Sequence, residues 1–251
     1  MPTALITGAS AGLGRAIATA LAARGWHLVI NARGRSALAD VGDTLSVVTS
    51  ALGGSVRMVA GDIADPIHRA ELIGRIGPAG SLDLLVNNAS TLGPTPLRPL
   101  ADWEPDDLDD VLRVNFTAPF ALTTALLPAL AAANGVVLSI SSDAAVEHYQ
   151  GWGGYGASKA ALDHLTLTLG VENLDITCYA VDPGDMRTAM QQAAFPTEDI
   201  SDRRRPADIV PALLELIDGR PTGGRYRVDG DRAVPDHATI AAAEQVSAVT
   251  R

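Results

Sequence analysis

Short runs rich in Val, Ile and Leu alternate along this chain with longer stretches of helical periodicity, an order that requires βαβ units and a parallel sheet. Strands are predicted near 3–7, 27–31, 55–59, 82–86, 135–141, 174–181 and 224–228. Helices are predicted near 12–24, 36–52, 66–76, 103–132, 153–170 and 206–218. Leu84-Leu85-Val86 and Val136-Val137-Leu138 are apolar at every position, as strands covered by helices on both faces must be. No linker, repeat or low-complexity block divides the sequence, so residues 1–251 are expected to form a single α/β domain. Two segments fall outside the alternation: 188–205, which holds Phe195 and Pro196, and the polar, Ala-rich tail 234–251. In a doubly wound sheet, ligands bind beyond the carboxyl ends of the strands, so chemistry is sought in those loops.

Charge narrows the functions. A formal net charge of −10 is unsuited to nucleic-acid phosphates, and the basic cluster Arg203-Arg204-Arg205 sits between Asp202 and Pro206 at a helix entry. The most apolar stretch, Phe116 to Ala133, is broken by Pro119, Pro128 and several Thr, so no membrane span is expected. The sequence opens on the strand-like Thr3-Ala4-Leu5-Ile6-Thr7 with no basic leader, and its one cysteine, Cys178, lies in an apolar run. Both features lead to an expected cytoplasmic location. The five histidines do not pair at ligand spacing, so no metal is expected. Of 19 basic residues only Lys159 is lysine, which singles out its position.

The turn between the first strand and first helix reads Thr7-Gly8-Ala9-Ser10-Ala11-Gly12-Leu13-Gly14. Glycines at 8, 12 and 14 allow a sharp turn, close approach of a pyrophosphate, and tight packing of helix on sheet. The second strand ends Asn31-Ala32-Arg33, with no acid to accept hydrogen bonds from ribose hydroxyls. Arg33 instead offers a planar fork of donors to a 2′-phosphate, so NADP(H) is the expected cofactor. Asp62, in Gly61-Asp62-Ile63 after the third strand, is placed either to accept from an adenine amino group or to cap the next helix.

Tyr155-Gly156-Ala157-Ser158-Lys159 places a phenol and an ammonium four residues apart, on one face of a helix. A neighbouring positive charge favours phenolate and draws the tyrosine pKa toward working pH. Arginine holds its protons and cannot join a proton relay, which makes the lone lysine intelligible. Other polar motifs punctuate strand ends: Asn87-Asn88-Ala89-Ser90, Ser141-Ser142, and Pro183-Gly184-Asp185-Met186-Arg187-Thr188. Asn115 lies in an apolar setting within the longest predicted helix.

In this order the motifs make the chain resemble the short-chain dehydrogenase/reductase family over nearly its whole length. The resemblance implies a Rossmann-like, doubly wound sheet of seven parallel strands, often assembled as a tetramer. It also implies that Tyr155 is the acid/base, that Ser142 hydrogen-bonds the substrate oxygen, and that Lys159 binds the nicotinamide ribose and tunes Tyr155. Asn115 would hold a water linking Lys159 to solvent. Gly8, Ser10, Gly12, Leu13 and Gly14 would cradle the pyrophosphate. Asp62, Ile63, Asn88, Ala89 and Thr188 would support the cofactor, with Pro183 and Gly184 shaping the nicotinamide pocket. The chain departs from the family pattern at Ser90, where glycine is usual, and at Tyr179, where asparagine is frequent. Many NADP(H) members carry a basic residue at the position of Ala11, so here Arg33 carries the phosphate discrimination.

The expected reaction is hydride transfer between NADP(H) and a small carbonyl or alcohol. Tyr149, Trp152 and Phe195 near one site, in a chain only 4% aromatic, suggest a mostly apolar ligand, with Met186 and Met190 closing the pocket. The rival reading is a catalytically silent NADP(H)-binding sensor or scaffold; such relatives lose the Tyr or the Lys, and both are present. Apolar surplus on the 103–132 and 153–170 helices predicts a homo-oligomer, a tetramer or a dimer.

Overall fold

The computed structural model describes residues 1–76 and 80–236. Eight strands form one sheet: β1 (Thr3–Ile6), β2 (His27–Ala32), β3 (Ser55–Ala60), β4 (Leu84–Asn87), β5 (Val136–Ile140), β6 (Thr177–Asp182), β7 (Gly224–Asp229) and β8 (Arg232–Pro235). Their spatial order is β3-β2-β1-β4-β5-β6-β7-β8, parallel throughout except for β8, which runs antiparallel to β7. The chain winds outward from β1 to β3, then crosses back to β4 and winds the other way. The switch point between β1 and β4 opens a crevice at the carboxyl ends of those strands.

Side-chain alternation explains the two helical layers. Ala4 and Ile6 of β1, Leu84 and Val86 of β4, and Val136, Leu138 and Ile140 of β5 pack under α1 (Gly12–Ala22) and α2 (Arg35–Ser50). Leu5, Leu85 and Val137 point the opposite way, into the core shared with α3 (Pro66–Ile76) and the helices after β4. Those helices are α4 (Pro105–Leu112), α5 (Ala118–Ala132) and α6 (Gly153–Glu172). The last helix among the described residues, α8 (Pro206–Gly219), returns to the first layer beside α1.

The structure corrects or adds to the sequence reading in four places. The 103–132 stretch is α4 and α5 joined by a π-helical turn, Arg113–Thr117, centred on Asn115. Pro128 sits within α5, so the run Pro105–Ala132 is by length and composition able to cross a membrane. Here its Ala118, Leu122, Leu126 and Leu130 are buried in the core. Residues 188–205 are not wholly irregular, because Ala189–Ala194 forms a short helix, α7. Finally, there is an eighth strand where seven were expected. The turn Gly230-Asp231, with Gly230 at φ +56°, folds Val234 and Pro235 back on β7. Residues 237–251 of the expected tail lie outside the described residues.

Leu85, fully buried in β4, reports on this packing. Leu85→Ala is expected to destabilise the protein by about 2–5 kcal/mol in urea unfolding, through lost burial plus a residual cavity. A loss under about 1 kcal/mol would contradict the two-sided core.

Candidate active site

A cleft of about 910 Å³ runs along the carboxyl ends of β1, β2, β4, β5 and β6. At one end Gly8 sits at φ +68°, where a Cβ would fall 2.7 Å from Asn88 Nδ2. A Cβ on Gly14 would lie 2.4 Å from the same nitrogen and 2.5 Å from the Gly8 carbonyl oxygen. The space a side chain would need is already filled by the Asn88 amide, which donates to the carbonyls of Thr7 (2.8 Å) and Gly8 (3.2 Å). Thr7, which the sequence reading passed over, locks the two loops together. Its hydroxyl donates to Val86 O and accepts from the backbone N–H groups of Asn88 and Ala89, both at 3.0 Å. Ser10, Ala11, Gly12 and Leu13 line the cleft, and the start of α1 has no side-chain cap and no acid in its first turn. Its N–H groups and positive dipole end are thus left to a ligand.

Farther along, Arg33 is exposed on the cleft rim and forms no ion pair among the described residues. Asp62 and Ile63 form the neighbouring wall. Asp62 does not cap α3: its Oδ1 accepts from Ala64 N at 2.8 Å in the turn before the helix, and Asp65 Oδ1 accepts from Ile67 N at 2.8 Å in the first turn of α3.

At the opposite end, α6 carries Tyr155 and Lys159 one turn apart, both buried. Lys159 is 2% exposed; its Nζ donates to the Ile140 carbonyl at 2.7 Å and lies 5.6 Å from the Tyr155 ring centroid. Burial pulls the ammonium pKa down to about 8, against the opposing charge of Asp163. Burial pushes the Tyr155 phenol well up; hydrogen bonding from Ser142 and Ser90 favours phenolate, while Asp182 and Asp143 add to the rise. The expected fall toward neutrality is therefore reversed, because desolvation outweighs every favourable partner of the phenolate.

Ser142 lies two residues beyond β5, its Oγ donating to Asp143 Oδ1 (2.9 Å) and accepting from Ala144 N (3.1 Å). Asn115 is fully buried. Its Oδ1 accepts from Thr91 N and Ser90 Oγ, and its Nδ2 donates to Thr91 O and Ser158 Oγ. Those four bonds occupy the amide's two donors and two acceptor positions, leaving no side-chain place for the water that the resemblance implied. The Asn115 side chain thus ties the β4 loop to α6. Ser90 and Asp143 join the site although sequence reasoning singled out neither; the only sign of Ser90 was its departure from glycine.

Gly184, at φ +71°, bends the chain after Pro183, and its N–H donates to Asp182 Oδ1 at 2.9 Å. Thr188 caps α7 by accepting from Gln191 N at 3.2 Å. Trp152 packs edge-on to Tyr155 (5.6 Å between centroids) and against Phe195 (6.0 Å). Leu92, Met186 and Met190 complete this mostly apolar end, with Tyr149 at the rim. His148 is exposed, and the buried Cys178 thiol is pushed up to about 12, too high for a nucleophile.

A doubly wound sheet with a glycine-lined cleft at its switch point defines a dinucleotide-binding class of α/β protein. More particularly, the chain belongs to the short chain dehydrogenase family, whose model matches residues 2–199. It is 34% identical over 223 residues to the uncharacterized oxidoreductase YciK of Escherichia coli K12, covering 85% of this chain and 84% of that one. Bovine sepiapterin reductase is 31% identical over 225 residues, with 85% and 84% covered. Among solved structures, a Shigella flexneri short chain dehydrogenase complexed with NADP superposes with a TM-score of 0.81 at 31% identity, covering 90% of this chain and 95% of that one.

Thr7→Val removes the hydroxyl and keeps the shape. It leaves Asn88 N and Ala89 N without that acceptor, so a stability loss of about 1–3 kcal/mol in urea unfolding is expected. Native stability in this variant would show that the two loops are held by other means.

Proposed function

We propose that the protein is an NADP(H)-dependent carbonyl reductase, or secondary-alcohol dehydrogenase, acting on a small, mostly apolar ketone, aldehyde or alcohol. The observation that carries this reading is the position of Tyr155, Ser142 and Lys159 in the same cleft as the glycine cradle. The residues fit the cofactor. The cradle excludes any Cβ at 8 and 14, the start of α1 is uncapped, and Arg33 is exposed at the rim where a 2′-phosphate would meet its donors. Asp62, Ile63, Asn88, Ala89, Pro183, Gly184 and Thr188 line the rest of that binding surface.

Bound nicotinamide supplies hydride to a carbonyl carbon, or accepts it from an alcohol. The chain's own groups handle the oxygen. Tyr155, kept as neutral phenol by burial, donates its proton to the forming alkoxide, and Ser142 Oγ hydrogen-bonds that oxygen as charge develops. Lys159 holds the nicotinamide ribose and stands ready to restore the Tyr155 proton. Asn115 fixes α6 against the β4 loop through Ser158. Trp152, Phe195, Met186 and Met190 supply apolar contact to the substrate.

The same reading has the protein in the cytoplasm as a homo-oligomer, a dimer or tetramer. Phe120 of α5 is 45% exposed and Val171 of α6 is also uncovered, so a second copy on these helices would bury both. Light scattering at micromolar concentration should give a multiple of the 26.0 kDa subunit; a monomer would contradict it.

Two measurements test the assignment. Fluorescence titration should give tighter binding of NADPH than of NADH, and Arg33→Ala should remove most of that preference. Equal affinities in the native protein would end the NADP(H) assignment. A carbonyl panel read by loss of NADPH absorbance should then find turnover that Tyr155→Phe lowers at least about 100-fold with NADPH binding retained. Near-native turnover in the folded variant would mean that another group is the acid.

A further inference from the structure

Lys159 is not the only charge buried in this region. Arg225 of β7 is 2% exposed, and among the described residues its guanidinium reaches Asp163, the Ser142 carbonyl and Asp236. Nε donates to Asp163 Oδ2 at 2.8 Å, one terminal nitrogen donates to the Ser142 carbonyl at 2.8 Å, and the other bonds Asp236 just after β8. Asp163 is itself buried, on α6, four residues after Lys159 and on the same helical face. Four charges of alternating sign thus run Lys159, Asp163, Arg225, Asp236, and the run touches the backbone of Ser142. Buried ion pairs add little stability over apolar residues of similar volume, so stability alone is a weak reason for this one.

We propose that Asp163 and Arg225 are positioning residues, a buried ionic strut that supplies the counter-charge of Lys159 and holds the Ser142 backbone in register with Tyr155. The inference rests on the carbonyl-reductase reading for its consequence, but not for its geometry. Burial raises the Asp163 pKa; the Ser141 hydroxyl beside the carboxyl and the Arg225 guanidinium both oppose that rise and favour the carboxylate. Ionised Asp163 in turn opposes the loss of charge that burial imposes on Lys159.

The other groups around Lys159 do not duplicate this role. Tyr155 on its own helix is a protonated phenol, and β5 carries no titratable residue. Asp143, in the turn after β5, and Asp182 of β6 act on Tyr155. Arg113 of the π turn pairs with Asp110 of α4 in solvent.

The chain's single lysine gives a direct test that needs neither substrate nor cofactor. Protein labelled with ¹³Cε-lysine shows one lysine resonance, whose pH titration reports Lys159 alone. The native protein should titrate at about 8, and Asp163→Asn about one pH unit lower, because the variant keeps the side-chain shape but loses the charge. If Asp163→Asn leaves Arg225 uncompensated and fails to fold, the double variant Asp163→Asn/Arg225→Gln removes both charges. The same downward shift is expected there, since Asp163 is the neighbour whose charge acts on Lys159. An unshifted titration in either folded variant overturns the counter-charge role.

For the Ser142 half, Arg225→Met should lower kcat for NADPH-dependent carbonyl reduction at least tenfold with little change in NADPH affinity, and Arg225→Lys should restore part of the rate. A folded Arg225→Met with native kcat overturns that half. A native enzyme inactive on every carbonyl would overturn the functional reading and leave the lysine titration to decide the strut.

Discussion

Close approach of backbone at the sheet's switch point is the constraint on which the site depends. The Asn88 amide occupies the volume that side chains at 8 and 14 would need, so the first turn and the β4 loop can touch only because both positions are glycine. The consequences pass along the chain. Asn88 fixes the β1 turn, Ser90 and Thr91 continue the same loop and bond Asn115, and Asn115 bonds Ser158. Ser158 Oγ donates to the Tyr155 carbonyl at 2.6 Å, inside the helix that carries the phenol and the ammonium. The glycine turn and the helix that carries Tyr155 and Lys159 are thereby held on one hydrogen-bonded scaffold.

Desolvation shapes the electrostatics of the cleft. It raises the phenol and lowers the ammonium, so it drives Tyr155 and Lys159 together toward their neutral forms. A neutral phenol suits donation to a carbonyl oxygen. Under the proposed reaction, a neutral amine would lose its hold on ribose hydroxyls and its capacity to resupply a proton. The carboxylate of Asp163 counters that second effect, since its charge acts on Lys159.

Much of this was legible in the sequence. The sheet's parallel core follows from apolar runs such as Leu84-Leu85-Val86, whose alternate residues enter opposite cores as the pattern requires. The glycine turn and the Tyr155/Lys159 spacing mark the two ends of the cleft in the sequence itself. What escaped notice is long-range or context-dependent. The strand β8 is only four residues long, Arg232-Ala233-Val234-Pro235, and it follows a tight turn in which Gly230 takes φ +56°. The π turn at Asn115 has no periodicity signal, since a single wide turn leaves the flanking helical pattern intact. Burial reversed the expected direction for Tyr155, and no local spacing reveals how far a side chain is removed from water. Arg225 and Asp163 are 62 residues apart, so only the fold could show them as a pair.

The central claim is hydride transfer from nicotinamide to a carbonyl carbon, with the proton delivered by Tyr155. NADPH carrying deuterium at both C4 positions, incubated with a carbonyl that the protein turns over, tests it by mass spectrometry of the product alcohol. One deuterium on the carbinol carbon per turnover, lost in Tyr155→Phe, is the result predicted here. Product free of deuterium, or label transfer undiminished in the folded phenylalanine variant, would contradict the account.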